Sequence, residues 1–237
     1  MEVFVLRKNY LSLFIILGIL STATFASTIT NPTSIEKNVN DYSLEKIQKK
    51  LYEEIGLAKK VDYKVFQKAI TGYSKIENKE KNDYLTIIDF SKPSTEERFF
   101  IIDLKQKKLL VSTYVTHGKN SGLNVATSFS NKVNSYKSSI GFFKTENTYM
   151  GKNGYSLVLD GLEKGINDNA KKRYIVIHGA DYANPQLAKN QGRLGRSLGC
   201  PALPKDIYKQ AINLIKSGSV VFAYGDDPKY KSTSTLV

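Results

Sequence analysis

Cysteine is almost absent from this chain: of 237 residues, Cys200 alone carries a thiol. A single thiol excludes an internal disulfide, so Cys200 is a buried packing residue, an intermolecular crosslink or a reactive group. Histidine is nearly as scarce, with His117 and His178 the two in the chain. These three residues together form a conceivable metal site, but the close-spaced ligand pairs of structural metal motifs are missing, and no metal or cofactor is expected. There is no arginine-rich helix and no interleaving of basic with aromatic residues, which argues against a nucleic-acid module. Internal repeats and low-complexity tracts are also lacking. The one long hydrophobic run, residues 11–20, is short for a bilayer span of about 20 apolar residues.

That run has the features of an export signal. Arg7 and Lys8 precede it, and small residues follow as far as Thr24-Phe25-Ala26, which matches a small-x-small cleavage site. Residues 1–26 are therefore expected to be a cleaved signal peptide, and membrane contact is expected only through it, before cleavage. No cysteine stands near the cleavage point to accept a lipid. The destination is the periplasm or cell envelope. The whole chain carries a net charge of +13; cleavage removes two basic residues and one acidic residue, leaving +12. Such an excess favours anionic partners, an envelope or cell-wall surface among them, although a scattered, solvated lysine surface explains it equally well.

The remaining residues suit one domain with added N-terminal structure. Residues 27–40 are polar and read as a linker. From Asp41, the apolar residues Leu44, Ile47, Leu51, Ile55 and Leu57 recur at helical spacing, with Asp41 or Ser43 as N-cap and Gly56 as a stop. A second helix is expected over 63–72, and residues 41–83 form an N-terminal helical segment without chemistry of its own, expected to pack on the main domain or to contact a partner. At Tyr84 the pattern changes. Strands are expected over 84–90, 98–104, 109–116, 141–145, 155–159, 174–177 and 219–224, with a helix over 205–217. The fold class is mainly β, a sandwich or barrel over 84–226 carrying a few helices, followed by a polar tail over 227–237.

The chemistry gathers at strand ends. His178 follows four apolar β residues and precedes Gly179, which places an imidazole where a buried strand meets solvent. Cys200 comes after glycines 192, 195 and 199. A glycine directly before a nucleophile permits a sharp turn and close substrate approach, and consecutive backbone N–H groups there can face a developing oxyanion. A thiol needs a base or a pKa-lowering environment to attack at neutral pH. His178 is the better candidate base, and His117, also followed by glycine, is the other. The plainer alternatives are a small buried Cys and a hydrogen-bonded structural His.

His178-Gly179, then Gly195-Arg196-Ser197-Leu198-Gly199-Cys200-Pro201-Ala202, resembles the active-site signature of the L,D-transpeptidase (YkuD-type) family, nearest its murein L,D-transpeptidase catalytic domain branch. The similarity extends through Thr116-His117-Gly118-Lys119-Asn120-Ser121-Gly122, Phe129-Ser130-Asn131, Ser138-Ser139-Ile140-Gly141 and Gly161-Leu162 to Asn167-Asp168, covering roughly 84–225. The wider family often has His where Leu198 stands and a polar or basic residue where Pro201-Ala202 stands.

The resemblance implies a β-sandwich domain acting on peptidoglycan stem peptides, with Cys200 as nucleophile and His178 as general base. The Gly199 and Cys200 N–H groups would form an oxyanion hole. Arg196 and Ser197 would order the loop or hold a substrate carboxylate, and a carbonyl near Gly179 would orient the imidazole. His117 would stand in for the missing histidine beside the substrate. The implied product is a 3→3 crosslink formed through a thioester. The same site passing its acyl group to water would be a carboxypeptidase or endopeptidase. Attachment or release of a wall protein, and a non-catalytic wall-binding module, are the further alternatives.

Overall fold

The computed structural model describes residues 34–77 and 83–237. The expected signal peptide lies outside the described residues. Helix α1 runs over Ser34–Ile55 and α2 over Tyr63–Lys75. Helix α1 begins seven residues before the expected start, so part of the expected linker is helical. Helix α2 starts where the Asp62 side chain accepts from the Lys64 and Val65 N–H groups at 2.8 and 3.3 Å, which satisfies donors that a helix start leaves open.

Eight strands follow: β1 Tyr84–Asp89, β2 Phe99–Asp103, β3 Lys108–Thr113, β4 Gly141–Gly151, β5 Gly154–Gly161, β6 Val176–Gly179, β7 Ala202–Leu203 and β8 Val220–Tyr224. Three short helices lie among the later strands, α3 Pro185–Gln191, α4 Tyr208–Ile215 and α5 Pro228–Thr233. One sheet takes them all in the order β3-β2-β1-β8-β4-β5-β6-β7. The last strand in the chain pairs in parallel with the first, Leu85 opposite Val220 and Ile88 opposite Ala223. Strands buried on both faces read as continuous apolar runs, and all five residues of β2 and four of the five in β8 are buried.

The sheet's two ends meet. After β3 the chain leaves β2 and crosses to β7. Thr116 N–H donates to the Ala202 carbonyl at 2.9 Å, and Ser197 N–H to the His117 carbonyl at 2.9 Å. Gly118 and Ser197 form a parallel bridge. This exchange of partners ends β3 at Thr113 rather than at Thr116, and it turns the sheet into a nearly closed barrel. The hairpin β4–β5 is longer than its apolar residues suggest. Its ladder is interrupted between Thr145 and Thr148, and its outer half is largely exposed, Tyr149 and Met150 included.

A single hydrophobic cluster runs from Tyr52 and Ile55 of α1 through Val65, Phe66 and Ala69 of α2 to Phe99, Phe142, Phe222 and Tyr230. The expected polar tail therefore contains α5, with Tyr230 buried and its hydroxyl donating to Glu163 Oε1 at 3.1 Å. Among the described residues no helix is long and apolar enough to cross a membrane.

Candidate active site

The closure of the barrel brings His178 and Cys200 to one place. Strands β6 and β7 pair in parallel with His178 opposite Ala202. Extending that register back two residues sets Cys200 beside Val176, and the Val176 N–H does act on the sulfur. Cys200 itself precedes β7, two residues before the Ala202 that stands opposite His178.

Cys200 is partly exposed. Burial pushes its thiol above the ordinary value, while the Val176 N–H and the positive charge of Arg173 pull it back down. Among the described residues its hydrogen bond runs not to His178 but to the Tyr174 carbonyl, with S–H donating at 3.4 Å.

His178 is buried, and its Nδ1 lies 3.1 Å from the Gly179 carbonyl. A carbonyl only accepts, so Nδ1 carries the proton and Nε2 keeps the lone pair. Burial lowers the imidazole's pKa, and the bond to Gly179 offsets part of that, leaving a neutral base at neutral pH. Gly179 is itself pressed against Tyr208: a Cβ there would come within 2.6 Å of the ring.

Ser197 ties the thiol loop. Its hydroxyl donates to the Cys200 carbonyl at 2.6 Å and accepts the Gly199 N–H at 3.0 Å. Of the two N–H groups expected to face an oxyanion, Gly199's is thus engaged within the loop. The Cys200 N–H carries no hydrogen bond among the described residues. Gly199 has φ +127°, a conformation open essentially to glycine, and a Cβ there would stand 2.9 Å from the Lys137 carbonyl.

Arg196 donates through Nη1 to the carbonyls of Lys119 and Gly122, both at 3.0 Å. It fastens the 119–122 turn to the thiol loop. His117 lies behind that turn, buried. Arg98 Nη2 donates to its Nδ1 at 2.8 Å, and its Nε2 faces the Gly122 carbonyl at 3.4 Å. An arginine cannot accept, so His117 is the Nε2–H tautomer. Its pKa is pushed down to about 4, first by burial and then by Arg98. Both ring nitrogens are occupied by this scaffold. Arg98 is fully buried and also donates to the Val115 carbonyl, from Nε at 3.0 Å and Nη2 at 2.8 Å, and to that of Lys92 at 2.8 Å.

Sequence reasoning did not single out Arg173 and Tyr174. Arg173 donates to Ser130 O, Ser139 Oγ, Ser135 Oγ and Lys137 O, which pins the loop that overhangs Gly199. It ends a basic run, Lys171-Lys172-Arg173, in which nothing marks it apart from its neighbours. Tyr174 was expected to open a strand. Instead it takes φ +55° and ends a helical turn, with Ile175 N–H donating to Ala170 O at 3.0 Å, and β6 begins only at Val176. No group of three or more His, Cys, Asp or Glu able to hold a metal occurs among the described residues.

A family model described as the L,D-transpeptidase catalytic domain matches residues 57–224. The match begins before α2, whose Val65, Phe66 and Ala69 share the core of the β domain. No curated protein matches the chain. Similar solved structures include an L,D-transpeptidase from Mycobacterium smegmatis, 12% identical over 60% of this chain and 59% of that one, with a TM-score of 0.39. An L,D-transpeptidase from Stackebrandtia nassauensis is 16% identical over 76% and 77%, at 0.37. The helical cell shape determining protein of Campylobacter jejuni is 12% identical over 66% and 54%, at 0.43. The chain spans about three fifths of the length of the mycobacterial structures it matches. By the extent of the family match, which covers most of its length, the chain belongs to the L,D-transpeptidase catalytic domain family.

Proposed function

We propose that this protein is a cysteine-dependent L,D-transpeptidase of peptidoglycan, exported to the cell envelope, that joins stem peptides by 3→3 crosslinks. The observation that carries the reading is the setting of Cys200. The chain's one thiol sits partly exposed just before β7, the strand paired with the one that carries a buried imidazole whose Nε2 is left free.

The residues suit the chemistry in order. His178 Nε2 takes the thiol proton, and the sulfur attacks the carbonyl at the L-centre of diaminopimelate in a tetrapeptide stem. The carbonyl oxygen gains negative charge, and the unengaged Cys200 N–H is the nearest donor for it. Collapse breaks the C–N bond, His178 returns its proton to the departing D-Ala amine, and a thioester remains. A side-chain amine of a neighbouring stem then attacks the thioester, forms the amide and restores the thiol. Arg196 and Ser197 keep the loop in register for these steps through bonds to the 119–122 turn and to Cys200. His117 supports that turn from inside rather than touching substrate. Cell-wall stem peptides are the partners, with the positive net charge favouring anionic wall material.

The test is product analysis after incubation with disaccharide-tetrapeptide. Release of D-Ala with formation of 3→3 dimers supports the reading. D-Ala without dimers reassigns the site to a carboxypeptidase. No turnover by a folded protein overturns it in favour of a wall-binding module.

A further inference from the structure

The segment just before β6 presents two consecutive residues to the thiol. Tyr174 does so through its carbonyl, at 3.4 Å from Sγ. Arg173 packs its guanidinium against Gly199, the residue directly before Cys200, with Nη2 3.4 Å from where a Cβ would stand, close enough for its charge to act on the sulfur. That guanidinium is partly buried, and all of its hydrogen-bond partners among the described residues are neutral oxygens: Ser130 O, Ser139 Oγ, Ser135 Oγ and Lys137 O. A partly buried cation without a carboxylate partner is costly unless another charge compensates it. The only group beside it that becomes anionic in the proposed chemistry is the Cys200 thiolate.

We propose that Arg173 is a positioning residue for the nucleophile, a fixed positive charge behind Gly199 against which the Cys200 thiolate forms. The inference rests on the transpeptidase reading for its purpose but not for its test. The other titratable groups to weigh are His178, on the strand paired with β7, and Tyr182, whose hydroxyl is pushed up to about 12 by burial and by the charge on Cys200. Neither supplies a permanent positive charge at neutral pH. The proton leaving sulfur passes to His178, and the charge left on sulfur is opposed by Arg173. The neutral oxygens around the guanidinium hold it in place without cancelling it. The same four bonds also tether residues 130–139, so a charge role and a tethering role must be separated.

The experiment is the pH profile of Cys200 alkylation by iodoacetamide, which needs no peptidoglycan substrate. In Arg173→Gln, which keeps a polar side chain but loses the charge, the thiol pKa should rise and the rate at pH 7 should fall about tenfold, as expected for loss of a nearby opposite charge. Arg173→Lys should retain most of the wild-type profile. Ser139→Asp places a carboxylate on the same guanidinium while leaving the arginine in place, and it should slow alkylation in the same way; it serves if Arg173→Gln does not fold. An unchanged profile in a folded neutralised variant overturns the proposal. So does a loss in Arg173→Lys equal to that in Arg173→Gln, which would mark Arg173 as a tether only. If the profile shifts as expected but the protein turns over no stem peptide, the transpeptidase reading fails while the Arg173–thiol coupling stands.

Discussion

His178 and His117 show how two residues of one type are driven to different work by their partners. For His178 a carbonyl fixes the proton on Nδ1 and burial keeps the ring neutral below its ordinary 6.5. The acidic limb of kcat/KM is therefore expected below that value. In His178→Ala this limb should disappear, with a rate loss of about 10²–10⁴-fold at neutral pH; an unchanged pH–rate profile would contradict the base role. For His117 an arginine occupies Nδ1. Its folded pKa of about 4 lies below the unfolded 6.5, so the unfolded chain binds the extra proton first as pH falls. Its contribution is intact above 6.5 and is lost as pH drops towards 4, about 3 kcal/mol at most. Urea midpoints at pH 7 and 4.5 should show this loss in the wild type and a flatter dependence in His117→Gln; equal slopes in the two would contradict it. The sequence shows both histidines before a glycine and ranks His178 first as base, but it does not show what holds His117. The arginine that decides the matter, Arg98, is 19 residues from His117 in the chain and reaches it only through the fold.

Most elements were readable from their own residues, and those that were not depend on partners distant in sequence. The apolar runs of β1, β2 and β8 announce buried strands. By contrast β6 starts late because Tyr174 is held in a left-handed conformation by the turn before it, and β3 stops early because Thr116 bonds to Ala202 and His117 and Gly118 pair with Ser197 instead. Helix α3 also escaped notice in the Gly- and Asn-rich stretch, although Asn184 and Pro185 at its start and Gly192 at its end supply cap chemistry. Helix α2 packs on the sheet through its buried face, and there Gly72 lies directly against the ring of Phe142. Gly72→Ala adds a methyl where backbone and ring already touch. The expected cost is about 1–3 kcal/mol, the range for an overpacked core, read as a lower urea midpoint with an unchanged slope. A midpoint equal to or above the wild type would show that α2 can lift away from β4 freely.

At the scale of the whole molecule, the helices placed before the β domain by sequence pattern prove to be part of its core. Tyr52 of α1 packs edge-on to Tyr63 with ring centroids 5.2 Å apart, and Phe66 of α2 is fully buried. Sequence periodicity shows which helix faces are apolar but not what they cover, so the boundary drawn at Tyr84 divides a single cluster. A chain beginning at Tyr84 should lose its cooperative thermal transition, while one beginning at Tyr42 should keep it; a cooperative melt at unchanged Tm from the shorter chain would contradict the shared core. That core underlies the sheet, whose two ends meet through Thr116 and Ala202, two residues from Cys200. The central claim, that this site works through a thioester on Cys200, is tested most directly by intact-mass measurement after exposure to a carbapenem, followed by mapping of the adduct. The account predicts one acyl adduct per chain, on Cys200, absent in a folded Cys200→Ala. A folded wild-type protein that stays unmodified, or an adduct that persists in Cys200→Ala, would contradict it.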